Sequence, residues 1–84
     1  MKTIEIEVRD LYKTIKIDID ITDTINNVKR KICDEIDKNI NKIRLYPKKN
    51  NIIKTGYSFY GLCGDISFND NYKDYDKFIV FLIL

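Results

Sequence analysis

Histidine is absent from this chain, so its two cysteines, Cys33 and Cys63, can neither complete a Cys/His zinc site nor form a cysteine–histidine nucleophile pair. Two cysteines are also too few for a disulfide framework, and both are expected as buried reduced thiols. Neither sign of charge dominates: the net charge of +2 lacks the strong basic balance of nucleic-acid binders, so no nucleic-acid partner is expected. Long apolar runs are missing too. The longest, Phe78 to Leu84, falls far short of the roughly 20 residues a membrane helix needs. The start, Met1 to Glu7, alternates too strictly for a signal peptide. These absences together point to an intracellular protein, cytoplasmic or nuclear, with no membrane partner. Alanine is absent, proline and glycine are scarce, and Ile, Asn, Lys, Asp and Tyr are heavily used, as an AT-rich coding sequence would produce.

What is present is enough for one small domain. With 84 residues, 44% hydrophobic and 33% charged, nearly every large apolar side chain is needed for a core, and no second domain fits. Ile21 to Ile32 organises the rest. Thr22, Asp23 and Thr24 are residue types whose side-chain oxygens accept first-turn N–H groups, marking a helix start. Ile25, Val28, Ile32 and Ile36 then recur at helical spacing on one face. Before the helix, Lys2 to Arg9 and Thr14 to Ile21 alternate apolar and polar. They read as two antiparallel strands joined by a turn at Arg9-Asp10-Leu11-Tyr12. After it, Ile43 to Tyr46 reads as a short strand stopped by Pro47. Lys48 to Asn51 is a turn in which Asn tolerates positive φ, and Ile52-Ile53 offers a short return strand. Phe78 to Leu84 is apolar on both faces, as a central strand is.

The order strand, strand, helix, short strands, final central strand is that of the β-grasp. Thr22-Asp23-Thr24-Ile25-Asn26-Asn27-Val28-Lys29-Arg30-Lys31-Ile32 closely resembles Ser-Asp-Thr-Ile-Glu-Asn-Val-Lys-Ala-Lys-Ile of ubiquitin. Arg44-Leu45 falls where ubiquitin has Arg-Leu, and Tyr57-Ser58-Phe59-Tyr60-Gly61-Leu62 is similar to a segment that in many ubiquitin-like domains ends Tyr-Gly-Ile. The chain thus resembles the ubiquitin-like family over about residues 1–62 and 78–84. The resemblance implies an α+β fold, a ubiquitin-like β-grasp with a mixed sheet of four to five strands packed on one α-helix. Residues 1–84 would be a single domain, with a family-atypical insertion at about 63–77. Conjugated members end in a mobile Gly-Gly tail, whereas this sequence reaches Leu84 within its last strand run. Conjugation by that route is therefore not expected.

The resemblance also places a protein-binding patch on the sheet face away from the helix. Tyr46 and Phe81 stand at its Ile and Val positions, Ile79 at the neighbouring His, and Leu11 near the Leu of the first turn. Alternation adds Ile83 to the same side. An apolar patch of this kind calls for a cover. One expected cover is a protein partner, a ubiquitin receptor, ligase or protease bound non-covalently by a tail-less mimic. An alternative is a structural β-grasp that self-associates or docks in a larger assembly through the same face. A third is Tyr72 and Tyr75 of the insertion folding back over it. Lys29, Arg30 and Lys31 read as a solvated helix face, interleaved with Asp34, Glu35 and Asp37. The acidic run from Asp65 to Asp76 lacks the spacing, Gly and terminal Glu of a calcium loop. No cofactor, metal or catalytic residue is expected, because no acid–base pair stands in an evidently desolvated place.

Overall fold

The computed structural model describes residues 2–50, 52–53 and 61–83. Alternation builds the first hairpin. Strand β1 (Lys2–Val8) sends Ile4, Ile6 and Val8 into the core and pairs antiparallel with β2 (Lys13–Ile19), with Lys2 opposite Ile19 and Val8 opposite Lys13. The expected turn between them is a 3₁₀ turn at Arg9–Leu11 followed by Tyr12 in the left-handed region. Strand β2 ends at Ile19 rather than Ile21. Asp23 N–H donates to the Asp20 carbonyl and the Asp23 carboxylate accepts from Asp20 N–H, a local turn that ends the pairing and leaves Ile21 exposed.

Helix α1 (Ile25–Ile36) begins where Thr24 Oγ1 accepts from Asn27 N–H at 3.1 Å. The stripe of Ile25, Val28, Ile32 and Ile36 is buried, as its spacing requires. Lys29 corrects the reading of a wholly solvated basic face. It lies four residues from both Ile25 and Cys33, at the edge of the stripe, and is only 7% exposed. Lys31 is half-buried and pairs with Asp23 at 2.7 Å. It also donates to the Asp18 carbonyl, which occupies an acceptor on the edge strand β2.

Strand β3 (Ile43–Lys49) runs through Pro47 instead of stopping there. The Leu45 carbonyl accepts from Leu62 N–H, so the odd-numbered residues of β3 turn their backbone groups away from its partner β5. Pro47 therefore lacks an N–H only on the side where the β5 ladder does not need one. Asn50 takes positive φ, and β4 (Ile52–Ile53) returns antiparallel along Lys48 and Lys49. Gly61 has φ +77°, and a Cβ there would stand 2.6 Å from the Leu45 oxygen, so glycine is required for the close approach. Tyr57 to Tyr60 of the family-like segment, Asn51 of the turn and Leu84 lie outside the described residues.

A short helix α2 (Phe68–Tyr72) leads to β5 (Lys77–Leu82), which lies parallel to β1 and antiparallel to β3. The sheet order is β2-β1-β5-β3-β4, one mixed five-stranded sheet on one main helix. This is an α+β architecture compatible with the ubiquitin-like β-grasp.

Residues 63–77 are built into this fold rather than strung beside it. Ile25 and Asn26 of α1 donate their N–H groups to the carbonyls of Ile66 and Gly64, and Phe68 N–H donates to the Asp23 carbonyl. Phe68 and Tyr72 are buried among core residues, with Phe68 5.1 Å from the Phe78 ring and Tyr75 6.3 Å from it. Phe78 belongs to the core between sheet and helix. Tyr72 and Tyr75 thus close one end of that core and do not fold back over the opposite face. Cys33 is buried and Cys63 exposed, both as free thiols, which corrects the expectation that both are enclosed.

Candidate protein-binding face

Pairing register arranges the side of the sheet away from α1. Ile79 on β5 is flanked by Glu7 on β1 and Tyr46 on β3, and the next row sets Phe81 beside Arg44. Lys77 stands next to Glu5 and Lys48. The apolar residues expected on this side are therefore on it, but two of them are closed over. Ile79 is 1% and Tyr46 7% exposed. Glu7 and Lys48 reach toward each other across β5 and pair at 3.1 Å, which lays their stems over Ile79. Tyr46 meets Phe81 edge-on with centroids 5.9 Å apart, and the Arg9 guanidinium stands 5.9 Å from the Phe81 ring. The centre of the face is thus a floor under charged side chains.

Accessible apolar surface survives at one end. Leu11 is 40% exposed in the hairpin turn, Phe81 and Ile83 are half-buried, and Tyr12 is 96% exposed. The turn is held against the end of β5 by Asp10, whose carboxylate accepts from Leu82 N–H at 2.7 Å, while Ile83 N–H donates to the Lys42 carbonyl. Of the five residues expected at a binding patch, Leu11, Phe81 and Ile83 are gathered here, and Tyr46 and Ile79 lie beneath the neighbouring surface.

Sequence reasoning missed Arg9, Asp10 and Tyr12. Their signal was available in the turn Arg9-Asp10-Leu11-Tyr12, which contains neither Gly nor Asn. Asp10, the one residue there that suits positive φ, lies inside the 3₁₀ turn, so the left-handed position falls to Tyr12 with φ 52°.

Three groups have clear protonation preferences, Asp23, Cys33 and Tyr72, the last with its phenol pushed up by burial, and all lie away from this face. For Asp23, burial pushes the carboxyl pKa up, but hydrogen bonds from Lys31 and Asp20 and the Lys31 charge outweigh it and hold the value low. For Cys33, burial pushes the thiol up, against the nearby Lys29 charge and with that of Asp34. Among the described residues no helix is long and apolar enough to cross a membrane, and no cluster of three or more His, Cys, Asp or Glu could hold a metal ion. No protein-family model matches the chain, and no curated protein matches it.

Proposed function

We propose that this chain is a non-catalytic protein-binding module of the β-grasp type, which docks a partner protein on the end of the sheet face formed by Leu11, Phe81 and Ile83. The observation that carries the reading is the division of that face. Its centre is sealed by the Glu7–Lys48 pair, whereas its end keeps Leu11 and Tyr12 exposed beside a half-buried Phe81 and Ile83. An apolar cluster surrounded by charged and polar groups is the usual anatomy of a protein contact. Likeness to the ubiquitin-like family supports the same side of the sheet and suggests ubiquitin receptors, ligases or proteases as the partner class. With Tyr46 covered on this face and set edge-on against Phe81, the bulk that would keep it out of a pocket shaped for Ile is withdrawn from the surface. Self-association through this end is disfavoured, because a two-fold contact would bring Arg9 and Arg44 of each copy toward their own likeness.

The test uses pull-downs and light scattering on wild type, Leu11→Asp and Phe81→Asp. Partner proteins held by wild type should be lost by both variants, with all three chains monomeric. Binding retained by both variants would refute the reading, and a wild-type dimer split by Phe81→Asp would establish the self-association alternative.

A further inference from the structure

Tyr12 occupies a place that folding alone does not favour. It closes the β1–β2 hairpin with φ 52° and ψ 40°, the left-handed conformation in which a Cβ and an aromatic ring are disfavoured and Gly or Asn is the usual solution. Its side chain takes no compensating shelter, since the residue is 96% exposed. Strained and bare residues of this kind are characteristic of functional sites. Beside it lies a groove of about 380 Å³ lined by Glu7, Val8, Arg9, Tyr12, Lys13 and Thr14. The acids near this groove are already engaged: Glu7 pairs with Lys48 and Asp10 accepts from Leu82 N–H. Among the described residues Arg9 makes no ion pair and is oriented by the Phe81 ring, whereas Lys13, opposite the core-facing Val8, leaves the sheet on the α1 side.

We infer that the hairpin tip is the specificity element of the binding face, with Tyr12 as an aromatic anchor and Arg9 as the cation that selects an acidic segment of the partner. This rests on the reading of the Leu11, Phe81 and Ile83 end as a docking surface and names what docks there. The occupant is a peptide segment carrying Asp or Glu beside an apolar side chain. The apolar group lies against Tyr12 and Leu11, and the carboxylate faces Arg9. Tyr and Arg are the side chains that most often dominate such contacts, because a large flat ring and a guanidinium lose little freedom on binding. Complementary charge adds selectivity against basic or neutral segments and makes association depend on salt.

A displayed library of short random peptides, selected on the wild-type chain and then measured as synthetic peptides, tests this. Enriched peptides should carry acidic residues next to an apolar one and bind more weakly as salt rises. Tyr12→Gly should weaken them about tenfold or more, while its Tm equals or exceeds that of wild type because the backbone strain is relieved. Arg9→Gln should weaken them similarly and flatten the salt dependence. Peptides without acidic enrichment, or affinities within about twofold of wild type for Tyr12→Gly, would overturn the inference. Peptides lost by Phe81→Asp but kept by Tyr12→Gly would overturn it while leaving the docking surface standing. A library yielding no peptide would count against both.

Discussion

Asp23 is a mostly buried acid whose charge is held in place by neighbours on both sides of the β2–α1 turn. Its carboxylate accepts from Lys31 at 2.7 Å and from Asp20 N–H at 2.9 Å. The folded pKa lies below the ordinary 3.8, so its contribution to stability is present above that ordinary value. It is lost as pH falls through the folded value. Asp23→Asn should cost about 1–3 kcal/mol near neutral pH, the scale of a buried hydrogen bond to a charged group. The gap from wild type should narrow in acid, as urea titrations at neutral and strongly acidic pH would show. Gly61 is a second residue with no substitute. A Cβ would stand 2.6 Å from the Leu45 oxygen at a φ of +77°, so Gly61→Ala should lower stability by more than about 1 kcal/mol, read as a fall in Tm.

At the scale of elements, the hairpin turn and β5 are joined by one side chain. Asp10→Ala removes the acceptor for Leu82 N–H, and hydrogen exchange at Leu82 should speed up about tenfold, equivalent to about 1.4 kcal/mol, while amides in the middle of β1 change little. Helix α2 is too short to persist by itself and is held by Phe68, which is fully buried against Phe78. Phe68→Ala should cost about 3–5 kcal/mol in denaturant unfolding, the range for emptying a core aromatic site. Elements with a strong period were legible from the sequence. The stripe Ile25, Val28, Ile32, Ile36 and the alternation in β1 each have one physical solution, and the run Thr22 to Thr24 bounded the helix start, which the structure sets at Thr24. Pro47 was misread because its effect depends on which side of β3 carries the ladder, which becomes visible only once Leu62 is seen on the other side. The side of the sheet bearing Ile79 and Phe81 was also legible from alternation. Its closure was not, because the Glu7–Lys48 pair joins residues from strands far apart in the chain.

For the whole molecule, the two thiols offer a built-in comparison. Cys63 is exposed and should react with a thiol reagent at once, whereas Cys33 is buried, with its thiol pKa pushed up, and should react only as fast as the core opens. Biphasic labelling that becomes monophasic in denaturant would confirm this, and two fast thiols in the native protein would contradict it. The place of β5 governs the molecule in another way. The last strand of the sheet in sequence is its middle strand in space, bonded to β1 on one side and β3 on the other. During synthesis, therefore, the β1–β2 hairpin and the β3–β4 pair emerge as two halves with nothing between them. Each leaves unpaired the strand edge that β5 will later cover. The sheet can close only after Leu82 has left the ribosome, so folding waits on translation of this strand and must then form its longest-range pairing, a slow step by topology. Until that moment the nascent chain is a natural client for chaperones that shield strand edges.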